Sequence, residues 1–125
     1  MLLRSVLFLT LATAVPTCVS AEATKFVPVT VAMLDESIED FSMHSDGKRE
    51  ITEDICPHAS LEALIDLDRN SSAYIKKFDN GGLGARPGDV ALFYRTYDLF
   101  SLSSILVWIV INETDGSCVA MISRN

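Results

Sequence analysis

Of the three cysteines in this chain, Cys56 and Cys118 constrain its fold most, because an exported domain would join them covalently. Cys18 stands apart, inside an N-terminal stretch with the three parts of a secretory signal. Arg4 supplies the positive end, Val6 to Val15 the apolar run broken at Pro16, and Val19-Ser20-Ala21 the small-residue cleavage site. Cleavage is expected after Ala21, which makes residues 1–21 a signal peptide and 22–125 the mature domain. The apolar run falls short of the ~20 residues a membrane-crossing helix needs. Pro16-Thr17 ahead of Cys18 suits lipoprotein processing poorly. The expected disulfide closes a loop of about sixty residues, worth roughly 4 kcal/mol by chain-entropy arithmetic. Cys56-Pro57-His58-Ala59 lacks the second cysteine of a redox Cys-x-x-Cys site.

Removing residues 1–21 from 125 leaves 104, enough for one domain and too few for two. Arg4 leaves with them and no acid does, so 10 basic residues become 9 against 17 acidic, a net −8. That balance argues against a nucleic-acid partner, which wants a basic face. It favours encounter with cationic surfaces.

Along the mature chain, Val27, Val29, Val31 and Met33 alternate and predict an N-terminal edge strand, since Pro28 cannot donate to a ladder. Asp35 to Phe41 suits a short helical turn, and residues 44–50 read as a polar loop. From Pro57 to Phe78, apolar residues recur at helical spacing (Leu61, Leu64, Ile65, Ile75, Phe78), with an interruption open at Asn70-Ser71-Ser72 and a stop at Asn80-Gly81-Gly82. Val90 to Tyr97 is β-rich. Ile105 to Ile111 is apolar on both faces, as in a central strand buried on both sides. Asp115-Gly116 marks a hairpin turn, with Cys118 to Ile122 returning. The expected fold is α+β: one small domain whose antiparallel sheet, a C-terminal three-strand meander plus an N-terminal edge strand, is packed by one main helix.

Candidate chemistry is sparse. Asp66-Leu67-Asp68-Arg69-Asn70-Ser71 opens like a calcium loop, but Ser71 and Lys77 occupy the places of the required glycine and glutamate. His44 and His58 are the two histidines, and no recognisable frame supplies the other members of a triad. No phosphate loop, Gly-x-Ser-x-Gly or His-Glu-x-x-His is present. No catalytic residue, metal ligand or cofactor is therefore assigned. Asn70-Ser71-Ser72 and Asn112-Glu113-Thr114 fit the N-glycosylation pattern. Candidate partner-binding residues are the acidic cluster Asp35, Glu36, Glu39 and Asp40, and the cation–aromatic group Arg86, Tyr94, Arg95 and Tyr97.

The expectation is a secreted or periplasmic acidic module that binds a protein, of cationic surface, as an inhibitor, adaptor or effector. A structural or stress-related envelope protein is the alternative, followed by a small hydrolase using a histidine and a carboxylate. Self-association stays open, because the Ile105–Ile111 run needs a cover.

Overall fold

The computed structural model describes residues 25–44, 47–78, 85–98 and 103–124. The expected signal peptide lies outside them. The described chain forms α1 (Val31–Ser42), β1 (Lys48–Glu50), α2 (Thr52–Ile55) running into a 3-10 turn (Cys56–His58), α3 (Leu61–Asn70), β2 (Tyr74–Phe78), β3 (Asp89–Asp98), β4 (Ser103–Asn112) and β5 (Cys118–Arg124). The five strands make one antiparallel sheet in the order β1-β5-β4-β3-β2. The helices lie on one of its faces. This is the α+β architecture expected, with several details corrected.

The segment 26–33 is not an edge strand. Thr30 is extended, and its hydroxyl accepts from the Met33 amide, capping α1. The cap and the spacing of Leu34, Ile38 and Phe41 overrule the alternating valines, and that stripe faces the core. The sheet edge is taken instead by Lys48–Glu50, within the segment read as a loop. Its polarity is that of an outer strand, whose free side a charged sequence protects.

The helix expected over 57–78 stops at Asn70. The Asn70 amide donates back to Asp66, the Ser71 hydroxyl donates to the Leu67 carbonyl, and Asp68 accepts the Ile75 amide. These side chains close the helix and start β2. Ile75 and Phe78, placed on one helical stripe by spacing, point to opposite faces of the sheet. The helical cover is thus α1, α2 and α3 together, not one main helix.

The core fills the space between that layer and one face of the sheet. Leu34, Phe41, Ile55 and Leu64 meet Leu92, Ile105, Val107, Ile109 and Ile122. β4 is central, as expected. Among the described residues only one of its faces is covered: Ile105, Val107, Ile109 and Ile111 are buried, while Leu106, Trp108 and Val110 on the other face are partly exposed.

Cys56 and Cys118 are joined, tying the 3-10 turn to β5 across 62 residues. Further ties to β5 lie nearby: the Ile51 amide donates to the Ala120 carbonyl, and Ala120 donates to the Thr52 hydroxyl. No helix among the described residues is long and apolar enough to cross a membrane.

Replacing both bridge cysteines by alanine should lower unfolding stability by about 4 kcal/mol, because the denatured chain regains the freedom of a long loop. Urea denaturation followed by circular dichroism measures this. An unchanged midpoint would show that the noncovalent contacts between the helical turn and β5 suffice.

Candidate functional site

Antiparallel register decides which side chains share the uncovered face of the sheet, since residues directly opposite point the same way. One row runs Lys48, Ser123, Leu106, Arg95. The next runs Glu50, Met121, Trp108, Phe93, Tyr74, and a third Val119, Val110, Ala91, Lys76. The centre is an aromatic and aliphatic belt, and no described helix lies over it. Tyr74 and Phe93 stack with ring centroids 5.3 Å apart. The belt floors a groove of about 600 Å³ lined by Phe78, Phe93, Leu106, Trp108, Val110 and Val119.

Arg86 stands at one end of the groove. Its guanidinium donates to Asp115 (2.9 Å) and to the Ser117 hydroxyl (2.7 Å), and its backbone amide donates to Asp89 (2.7 Å). Asp89 also accepts from the Asn112 amide at 2.8 Å, and that amide donates to the Pro87 carbonyl as well. The Asn112 and Arg86 donors hold the Asp89 carboxyl below its ordinary range. Asp115 is lowered to about 2 by the Ser117 amide and hydroxyl, with Arg86 adding to them. Gly88 passes this corner with φ of 90°, where an added Cβ would meet the Thr114 hydroxyl at 2.8 Å. The network pins the entry to β3 onto the β4–β5 turn, so Arg86 is a structural clamp at the groove's end.

The remaining expected site residues are divided between the two sides. Arg95 and Tyr97 stand on the open face, with Tyr97 74% exposed. Tyr94 points the other way, into the core, and its hydroxyl donates to Asp35 at 2.7 Å. Burial, then that bond, pushes the Tyr94 hydroxyl up to about 12. Within the acidic cluster, Asp35 is thus engaged, and Asp40 pairs with Arg49 at 3.2 Å. Glu36 and Glu39 face solvent. Sequence reasoning missed Phe78, Phe93, Leu106, Trp108 and Val110 as surface residues, because an apolar run signals burial without saying how many faces are covered. The signal that could have found them is the alternation Phe93, Arg95, Tyr97 on β3, which puts two polar-tipped side chains in line with an aromatic one.

The helical side offers less chemistry. His58 borders a shallow groove with Glu36, Ser37, Asp40 and Asp54. Its Nδ1 sits 2.9 Å from the Val27 carbonyl, where an orienting carboxylate would belong, and no hydrogen bond links it to Ser37. Nδ1 of His44 rests 2.8 Å from the Asp40 carbonyl in the helix end. Among the described residues no three His, Cys, Asp or Glu side chains gather to hold a metal. Of the two glycosylation patterns, Asn112 is 3% exposed with its amide committed to two acceptors, whereas Asn70 is exposed at the end of α3.

The neutral Tyr94 phenol is the form the fold holds, so its contribution is complete below its ordinary value near pH 10 and is lost as pH rises toward 12. Tyr94→Phe should cost about 1.5 kcal/mol at neutral pH. Wild type should then lose stability relative to that variant between pH 10 and 12, in thermal melts across the range. A gap constant with pH would contradict the Tyr94–Asp35 bond.

No family model, curated protein or solved structure matches this chain.

Proposed function

We propose that the protein is an exported binding module that takes a protein partner on the open face of its sheet, acting as an inhibitor, adaptor or effector. The observation that carries this reading is the belt of Tyr74, Phe93, Leu106, Trp108 and Val119, held half-exposed by a covalently braced sheet. Tyr74 is 55% and Val119 38% exposed. A contiguous apolar patch of this kind marks a contact surface, and tryptophan, tyrosine and arginine together are the residues that dominate interface energies. The belt sits on strands, so little ordering entropy opposes binding. Export is supported by the leader pattern of residues 1–21 and is consistent with the Cys56–Cys118 bridge.

A second reading keeps the cationic partner on the helical side. The three helices carry nine carboxylates, four on α1, two on α2 and three on α3, against the single Arg69. Glu36 and Glu39 are the members of the original cluster left for such a contact.

The two readings separate on mutation. A partner recovered from the extracellular or periplasmic fraction with the tagged mature chain should bind Trp108→Ala about thirtyfold more weakly. It should bind Glu36→Gln/Glu39→Gln nearly as well as wild type, with circular dichroism confirming both folds. The reverse pattern would move the site to the helical side, and indifference to both variants would favour a structural role.

A further inference from the structure

The charge of the open face is opposite to that of the molecule. Lys48, Arg95 and Lys76 border the belt and have no carboxylate partner among the described residues. Lys48 Nζ lies 5.9 Å from the Trp108 ring centroid and Lys76 Nζ 5.4 Å from that of Phe78. Among the described residues the acids at this face are Glu50, at the outer edge of the belt, Asp89, already bonded to Asn112 and the Arg86 amide, and Asp115, paired with Arg86 at the groove's end. Three cations therefore surround an apolar floor, whereas on the helical side the nine helix carboxylates outnumber Arg49, Arg69 and Arg124.

Their spacing is informative. Lys48 and Arg95 share one row and stand three strands apart, about 14 Å at the usual strand separation. Lys76 lies opposite Ala91, four residues along β3 from Arg95, again about 14 Å away. One anionic group cannot reach all three. A lipid or fatty acid, with one head and one tail, would want its cations gathered at one mouth of an enclosed pocket. An extended chain with carboxylates about four residues apart spans about 13 Å and meets neighbouring corners of the triangle. A face-to-face pair of copies would bring six cations together with two glutamates to offset them, and like charges across a desolvated contact are costly.

We propose that the occupant of the open face is an acidic, amphipathic polypeptide segment, with aliphatic side chains on the Trp108–Phe93 belt and carboxylates directed at Lys48, Arg95 and Lys76. The proposal rests on the reading that this face is the binding surface, and it assigns that face a partner of charge opposite to the one the chain's net charge suggests.

Trp108 is the only tryptophan, so its emission reports occupation of the belt. The mature protein is titrated with a Glu-Ser-Leu-Ser repeat peptide, whose extended form puts Glu and Leu on one face, a Lys-Ser-Leu-Ser repeat peptide, and phosphatidylglycerol vesicles. The acidic peptide should shift the emission with affinity about tenfold above the basic one, and the advantage should shrink as salt rises. Lys48→Gln/Lys76→Gln/Arg95→Gln, folded by circular dichroism, should lose that preference. Equal or tighter binding of the basic peptide, retention of the preference by the triple variant, or a response to vesicles alone would each overturn the proposal while leaving the face as a binding surface. Silence from all three probes would overturn it too, and the effect of Trp108→Ala on the natural partner then shows whether the face reading falls with it.

Discussion

The structure depends on one constraint: β4 is apolar on both faces, and the described helices cover one of them. Ile105, Val107 and Ile109 are sealed against Leu34, Phe41, Ile55 and Leu64. Burying side chains of this size contributes on the order of 1.5–3 kcal/mol each, which directs α1, α2 and α3 to that side. Leu106, Trp108 and Val110 alternate with them and face outward. A strand with polar residues at these positions would give an ordinary two-layer domain with a solvated outer face. Here the same strand order yields an apolar floor, and the proposed function follows from that difference.

Two devices keep the floor presented. The Cys56–Cys118 bridge and the Ile51 and Thr52 bonds to Ala120 hold the helical turn to β5, so the layers register at the sheet's edge. At the other end, Arg86, Asp89, Asn112, Asp115 and Ser117 lock the start of β3 to the β4–β5 turn. Each buried polar atom of Asp89 and Asn112 finds a partner, as burial demands. The groove is therefore bounded by hydrogen bonds at its end and floored by strands.

What could be read in advance tracks how local the deciding physics is. The β-rich C-terminal third, the Asp115-Gly116 turn and the cysteine pairing follow from short-range pattern and from cysteine counting, and all three are in the structure. The valines at 27–31 misled because a single hydroxyl, that of Thr30, decides the start of α1. The helical spacing through Phe78 misled because side-chain bonds from Asn70, Ser71 and Asp68 end α3, after which Ile75 and Phe78 obey the strand period. Of the expected site residues, Arg95 and Tyr97 share the open face, while Tyr94 turns inward by the same two-residue period. Trp108 was illegible as a surface residue because covering one face or both is a property of the whole chain.

The distribution of charge ties these features together. Carboxylates outnumber cations in the helical layer, where Arg49 and Arg124 lie over Phe41, while Lys48, Lys76 and Arg95 border the sheet's apolar floor, a difference the net charge of the chain conceals. Acrylamide quenching of Trp108 fluorescence in the free, monomeric mature protein tests most directly whether that floor is open. An emission between those of buried and free tryptophan, with appreciable quenching by acrylamide, is predicted. A blue-shifted emission protected from quencher would mean that the floor is covered, and would contradict the account.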